Sequence, residues 1–303
     1  VISFRYHVVT IVAVLIALAV GILLGGTFID TGLANGLTKQ VTSLVADRNN
    51  LRTTISQLTT ENQDLSAFAN QWMPEILSGR LTGVPVVIVT IQGVDLGAVA
   101  SARQSLVQAG VTELETVELS SRLGSTNPAD RLALSEAIGL AGDTPPPDLE
   151  ARVASALAER LLQAPPTGAS DLLLQLQPTF LTIVGQPTVA SIGLPGQAVV
   201  VIAGGNPPPS VSPEKVLLPL VTALADQTPP APVVAGEPTD TGYPFVALIR
   251  ASDIDRQVVT VDNVDEVLGQ LSVAVGLRDL IAKPGKGADY GTDPGASAPF
   301  PPP

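Results

Sequence analysis

From Val8 to Ile29 the chain runs for 22 residues without a charged side chain. As a helix rising about 1.5 Å per residue it spans about 33 Å, close to the roughly 30 Å hydrocarbon core of a bilayer. A buried helix of a soluble domain seldom stays free of polar residues for so long. A cleavable leader has a shorter apolar core, about 7–15 residues, and ends at a small-residue site that Gly25, Gly26 and Thr27 match only loosely. The segment therefore reads as a permanent transmembrane helix. Arg5 precedes it and Asp30 follows it, which predicts residues 1–7 in the cytoplasm and the bulk of the chain outside, in a single-pass protein of the cytoplasmic membrane.

Two further patterns lie along this part of the chain. Ala13, Ala17, Gly21 and Gly25 recur every four residues and put small side chains on one helical face, where a second membrane helix can approach closely. After a short stretch from Gly32 to Gly36, Leu37, Val41, Leu44, Arg48, Leu51, Ile55, Leu58, Asn62, Leu65, Ala69 and Trp72 follow at alternating spacings of four and three. This is a heptad seam with Leu dominating d and Val41, Arg48, Ile55, Asn62 and Ala69 at a, a combination that favours a parallel two-stranded coiled coil. Asn62 at a fixes register, Arg48 reaches out of the seam, and Asp47 at g meets Arg52 at the following e of a second copy. The seam predicts a homodimeric stalk over residues 37–73, about 54 Å long from Leu37 to Trp72. Pro74 and Gly79 mark its end, and Phe68, Trp72 and Met73 are expected to seat it on the following domain.

Residues 80–283 read as an α/β domain. The apolar run from Val84 to Asp95 predicts a buried strand, Leu96–Ala109 a helix stopped by Gly110, and Val111–Leu119 a second strand, which makes a β-α-β unit. Helical patterns follow at Arg131–Ile138 and Leu149–Leu162, joined by the connection AGDTPPPDLE, with a short helix in SDLLLQL. Further strands are expected at Gly196–Gly204, Ala231–Glu237 and Gln257–Thr260. Helices are expected at Glu214–Asp226, capped by Ser212, and at Asn263–Ala282, capped by Asp262 or Asn263. Buried strands alternating with helices predict a three-layer α/β domain with a mainly parallel sheet. The Gly/Pro-rich tail 284–303 reads as disordered.

The chemistry available is limited. The chain has no Cys, one Met, and a single His, His7, at the membrane edge. Thiolate and imidazole catalysis and soft-metal ligation are thus missing from the α/β domain, no cofactor is expected, and a non-enzymatic role is predicted. Gln92-Gly93-Val94-Asp95 ends the first strand without a dinucleotide fingerprint or a P-loop. Asp253, Asp255, Asp262 and Asp265 read as solvated loop and cap residues, with a weak cation or protein contact as the alternative. A net charge of −12 argues against nucleic acid as a partner.

The opening FRYHVVTIVAVLIALAVGILLGG and the closing VTVDNVDEVLGQLSVAVGLRDLIA, with Gly291 after GADY, resemble the actinobacterial MctB family. Phe4, Arg5, Tyr6 and His7 match its N-terminal signature, and Val261, Asp262, Asn263, Val264 and Asp265 its C-terminal one; the resemblance covers nearly the whole chain. It implies one of two roles, since members are described as copper transport proteins, and related corynebacterial members as SteB, a partner of SteA in cell separation. The tether, seam and acidic domain favour a scaffold or regulator in cell separation and peptidoglycan hydrolase control, with an SteA-like partner. Copper transport or copper homeostasis is the alternative, and it would bring copper as the ligand.

Overall fold

The computed structural model of the chain describes residues 4–140, 145–165, 170–185, 189–207 and 212–302, with backbone alone at 26–35 and 146. The side chains ending the apolar segment, residues 141–144 of the expected connection and residues 208–211 of the following Pro-rich loop lie outside this description. Two compact units result, residues 1–67 and 68–303.

One helix, α1 (Phe4–Leu77), runs through the apolar segment and the heptad seam. Across Gly32–Gly36, between the two patterns, the backbone stays helical. Phe4–Gly25 is long and apolar enough to cross a membrane, and none of it is buried within the protein. In the second unit the last turns of α1 hold Pro74, whose carbonyl accepts from Ser78 N at 2.9 Å, and Gly79 follows at φ +74°. Met73 and Leu77 are buried in the core there. Trp72 and Phe68 stay exposed, their rings 6.1 Å apart, so of the three expected seating residues only Met73 packs inside.

The rest of the second unit is a seven-stranded sheet in the order β3-β2-β1-β4-β5-β6-β7. The strands are β1 (Val86–Ile91), β2 (Leu114–Leu119), β3 (Leu181–Val184), β4 (Ala198–Ile202), β5 (Val233–Gly236), β6 (Val259–Val261) and β7 (Ala288–Tyr290). All neighbours are parallel except β2 and β3. The helices are α2 (Leu96–Gln108), α3 (Pro128–Ala137), α4 (Pro146–Leu162), α5 (Leu172–Leu176), α6 (Leu217–Ala225), α7 (Phe245–Arg250) and α8 (Val267–Ala282). α2 packs with α8, and α4 with α6. Every side chain of β1, β4 and β5 is buried, which requires both sheet faces to be covered and explains why these strands read as unbroken β-branched runs.

Several elements depart from the sequence expectation: α7 had no sequence signal, and α6, expected from Glu214 with Ser212 as its cap, begins at Leu217 with no side-chain cap. β3 is short and alternates buried with exposed residues at an edge, so it shows no apolar run. The final helix begins at Val267, because Asn263–Glu266 forms a turn in which Asn263 O accepts from Glu266 N at 3.0 Å; neither Asp262 nor Asn263 caps it. The tail expected to be disordered instead supplies β7, which pairs with β6 and buries Tyr290, and Pro301 is buried beyond it. Tail composition favoured disorder, but the free edge of β6 offers backbone partners that composition cannot register.

Candidate functional site

In open α/β sheets the usual ligand crevice lies where strand order reverses, here between the ends of β1 and β4. Asp95 follows β1 and caps α2, accepting from Gly97 N at 2.6 Å and Ala98 N at 3.2 Å. A carboxylate thus already occupies the place an anion would take. The crevice is also closed by backbone, since Asp95 N donates to Gly204 O at 3.1 Å. A Cβ on Gly205, which holds φ +155°, would lie 3.2 Å from Asp95 N. Among the described residues this crevice is left with no open phosphate cradle.

The C-terminal signature builds a dense polar cluster where β5, β6, β7 and α7 meet. Asp262, one residue beyond β6, has a fully buried side chain and takes a salt bridge from Arg250 Nη1 at 2.9 Å. It also accepts from Thr292 N at 2.7 Å and Asp293 N at 3.1 Å. Arg250 ends α7 and donates onward to Thr260 Oγ1 at 2.8 Å and Tyr290 O at 3.0 Å. Thr260 donates to Asp289 Oδ1 at 2.5 Å. Gly291 at φ +133° passes so close that a Cβ would sit 1.9 Å from Asp262 Oδ1, which accounts for glycine after GADY. Asp265 binds Thr239 through its N at 2.8 Å and its hydroxyl at 3.1 Å. Asn263 is buried next to α8, where a Cβ on Gly269 would lie 1.8 Å from Asn263 O.

Glu237, one residue beyond β5, is 1% exposed and accepts from Phe245 N at 2.5 Å and Val246 N at 3.0 Å. Burial pushes its carboxyl up to about 7; the two N–H groups pull the other way, and Asp293 and Asp262 add to the rise. Burial and then the neighbouring Asp289 also raise Asp255, against Arg250 and Arg256. Asp253 stays exposed. The four aspartates singled out from the sequence therefore do not converge, and among the described residues no three His, Cys, Asp or Glu side chains are placed to hold a metal ion. The cluster is a closed brace, with Arg250 neutralising Asp262 and backbone filling its other acceptor positions.

A second buried ion pair joins Arg160 on α4 to Asp171, through Nε at 2.8 Å and Nη2 at 2.7 Å. Arg160 Nη1 also donates to Ile192 O at 2.8 Å. Burial would raise Asp171, but Arg160 and the Leu173 N–H hold it below the usual carboxylate range. Sequence reasoning missed Glu237, Arg250, Arg160 and Asp171. Each pairing spans eight or more positions with no fixed spacing, and a charged residue in an otherwise apolar segment, as in FVALIR, was the only available signal.

Along α1 the seam residues Leu37, Val41, Leu44, Arg48, Leu51, Ile55, Leu58, Asn62, Leu65 and Trp72 are exposed and Ala69 is half-buried. Ala13, Ala17 and Gly21 are exposed and Gly25 is half-buried. Arg5, Tyr6 and His7 are exposed on the first turns.

Comparison with known proteins decides what this arrangement belongs to. The family described as "Copper transport outer membrane protein, MctB" matches residues 1–301. The chain belongs to the MctB family. Copper transporter MctB of Mycobacterium leprae (strain TN) is 28% identical over 313 residues, covering 98% of each chain. Copper transporter MctB of Mycobacterium tuberculosis (strain ATCC 25618 / H37Rv) is 28% identical over 319 residues, covering 97% of this chain and 98% of the relative. These are transport proteins rather than catalysts, in agreement with the non-enzymatic expectation. Two expectations change. The copper description takes precedence over cell separation, which neither relative's name carries. The family description names an outer-membrane protein, and this corrects the expectation of a single-pass protein of the cytoplasmic membrane. The physical reason is that an apolar helix of this length fits any bilayer about 30 Å thick, and Arg5 alone does not specify which one.

Proposed function

We propose that this chain serves copper transport as a membrane-anchored, non-enzymatic homodimer whose α/β unit works with a partner protein that supplies the copper ligands. The observation that carries the reading is the match to a copper-transport family along residues 1–301. Residues 1–67 hold four basic and four acidic side chains, so the whole charge of −12 resides on residues 68–303. Such a surface concentrates cations and favours a basic partner. The soft donors that bind Cu(I) tightly are Cys, Met and His. Here Met73 is buried, His7 lies on the first turns of α1, and Cys is absent from the sequence. A partner therefore has to supply ligands of that kind.

The exposed apolar seam supports pairing of two copies through α1. Counting the heptad back along the continuous helix puts Ala13 at a, Ala17 at e, Gly21 at b and Gly25 at f. The small-residue stripe thus leaves the seam within two turns. One pair of straight helices cannot use both contacts, and the longer seam with its Asn62 register is the one assigned to the dimer.

The test is deletion of the gene with measurement of copper tolerance and cell copper, then complementation by the full chain. Copper sensitivity or altered copper content, restored by complementation, is expected. Unchanged copper handling with chained, unseparated cells would overturn the reading and return the SteA-partnered role. Calorimetry of the full chain in detergent should give only weak, salt-dependent copper binding. A micromolar or tighter, salt-independent site would overturn the partner-supplied ligands.

A further inference from the structure

We propose that the C-terminal strand is held by a proton-controlled clasp, in which Glu237 and Arg250 at the two ends of α7 set how firmly β7 and the residues after it stay on the sheet. Arg250 is the cation of the clasp. It reaches Asp262 just past β6 and the carbonyl of Tyr290 on β7, while Asp262 holds the backbone of Thr292 and Asp293. At the other end of the same six-residue helix, Glu237 accepts from the first two N–H groups of α7.

Glu237 has no ion-pair partner among the described residues. The charges it feels are Asp262 from β6 and Asp293 from the clasped segment, both of its own sign. The nearest cation of the clasp, Arg250, is committed to Asp262. In the adjoining loops the charged side chains Asp240, which accepts from the Asn206 amide, and Asp265, which accepts from Thr239, are carboxylates as well and so offer Glu237 no counter-charge. A neutral Glu237 fits this site. An ionised one is buried against two carboxylates, and the strain is relieved when the segment carrying Asp293 lifts and water enters. The buried carboxyl, raised to about 7 against 4.5 in water, gives the window. In the closed state more protons are bound between these values. Opening therefore becomes easier as pH rises through them, by up to about tenfold per unit, and levels off above the upper one.

The experiment is hydrogen exchange on the full chain in detergent, following the amides of Phe245, Val246, Thr292 and Asp293 from pH 4.5 to 8.5, corrected for intrinsic exchange. The expected result is protection that falls by ten- to a hundredfold between about pH 5 and pH 7 in the native chain and stays level in Glu237→Gln, whose amide oxygen still accepts both N–H groups. A level native profile, or the same fall in Glu237→Gln, overturns the proposal. Should Glu237→Gln fail to fold, Asp293→Asn removes one like charge from an exposed position; a smaller fall that ends at lower pH supports the clasp, and an unchanged profile overturns it.

Discussion

Single residues at the C-terminal cluster carry consequences out of proportion to their size. Arg250→Ala would leave the Asp262 carboxylate buried without its cation, and breaking a buried pair in this way costs about 3–5 kcal/mol. The expected outcome is a fall of that order in denaturant-measured stability at pH 7; a change under about 1 kcal/mol would show that backbone donors alone satisfy Asp262. Gly291→Ala brings a Cβ to 1.9 Å from Asp262 Oδ1 at φ +133°, so it should destabilise the fold by at least about 2 kcal/mol. A thermal melt of the purified variant beside the native chain checks this. Glu237→Gln should gain stability over the native chain as pH rises from about 4.5 to 7, because only the native carboxyl is forced to ionise in a buried site. The gain should reach on the order of 3 kcal/mol and stay constant above pH 7, at about 1.4 kcal/mol per pH unit. Of these residues Asp262, Asn263, Asp265 and Gly291 stood out in the sequence as parts of a signature, but their chemistry did not. Asp262 looked like a helix cap, and only its distance to Arg250, twelve positions earlier, shows it to be half of an ion pair.

At the scale of elements the helix and the sheet were legible to different degrees. α1 announces itself twice, first by an uncharged run and then by a seam, since both signals are local and periodic. Its continuity was not legible, because Gly32 and Gly36 are helix-weakening residues by propensity and yet the backbone does not break there. That continuity makes the two pairing faces mutually exclusive and yields a discriminating prediction. Leu51→Lys with Leu58→Lys should convert a dimer to monomer in light scattering of the detergent-solubilised chain. Gly21→Leu should leave the molar mass unchanged. The reverse pattern would assign the contact to the small-residue stripe. Among strands, β1, β4 and β5 were readable because burial on both faces enforces apolar β-branched runs. β3 and β7 were not readable, since an edge strand of three or four residues needs only partner backbone and little apolar sequence.

For the whole molecule, the C-terminal segment separates two views of the chain. A disordered tail could be removed at no cost, whereas here it completes the sheet, buries Tyr290 and satisfies Arg250 and Asp262. Truncation after Lys283 should therefore lower the melting temperature by roughly 10 °C or more, or leave the protein insoluble; an unchanged melt would return the disordered reading. The membrane-length helix, the heptad periodicity, the acidic cysteine-free composition and the α/β class could be read from the chain before any fold was known. All of these follow from local periodicity or from counting, and neither requires knowing what touches what. It took the folded chain to establish that Gly204, Gly205 and Asp95 close the switch-point crevice, that Asp262 of the C-terminal signature faces an arginine and backbone rather than a metal ion, and that part of a Gly/Pro-rich tail is a strand. Those outcomes depend on which residues distant in sequence share a buried space. Desolvation makes an unpaired charge or an unmet N–H costly in such a space, so the fold, and not the local sequence, selects the partner.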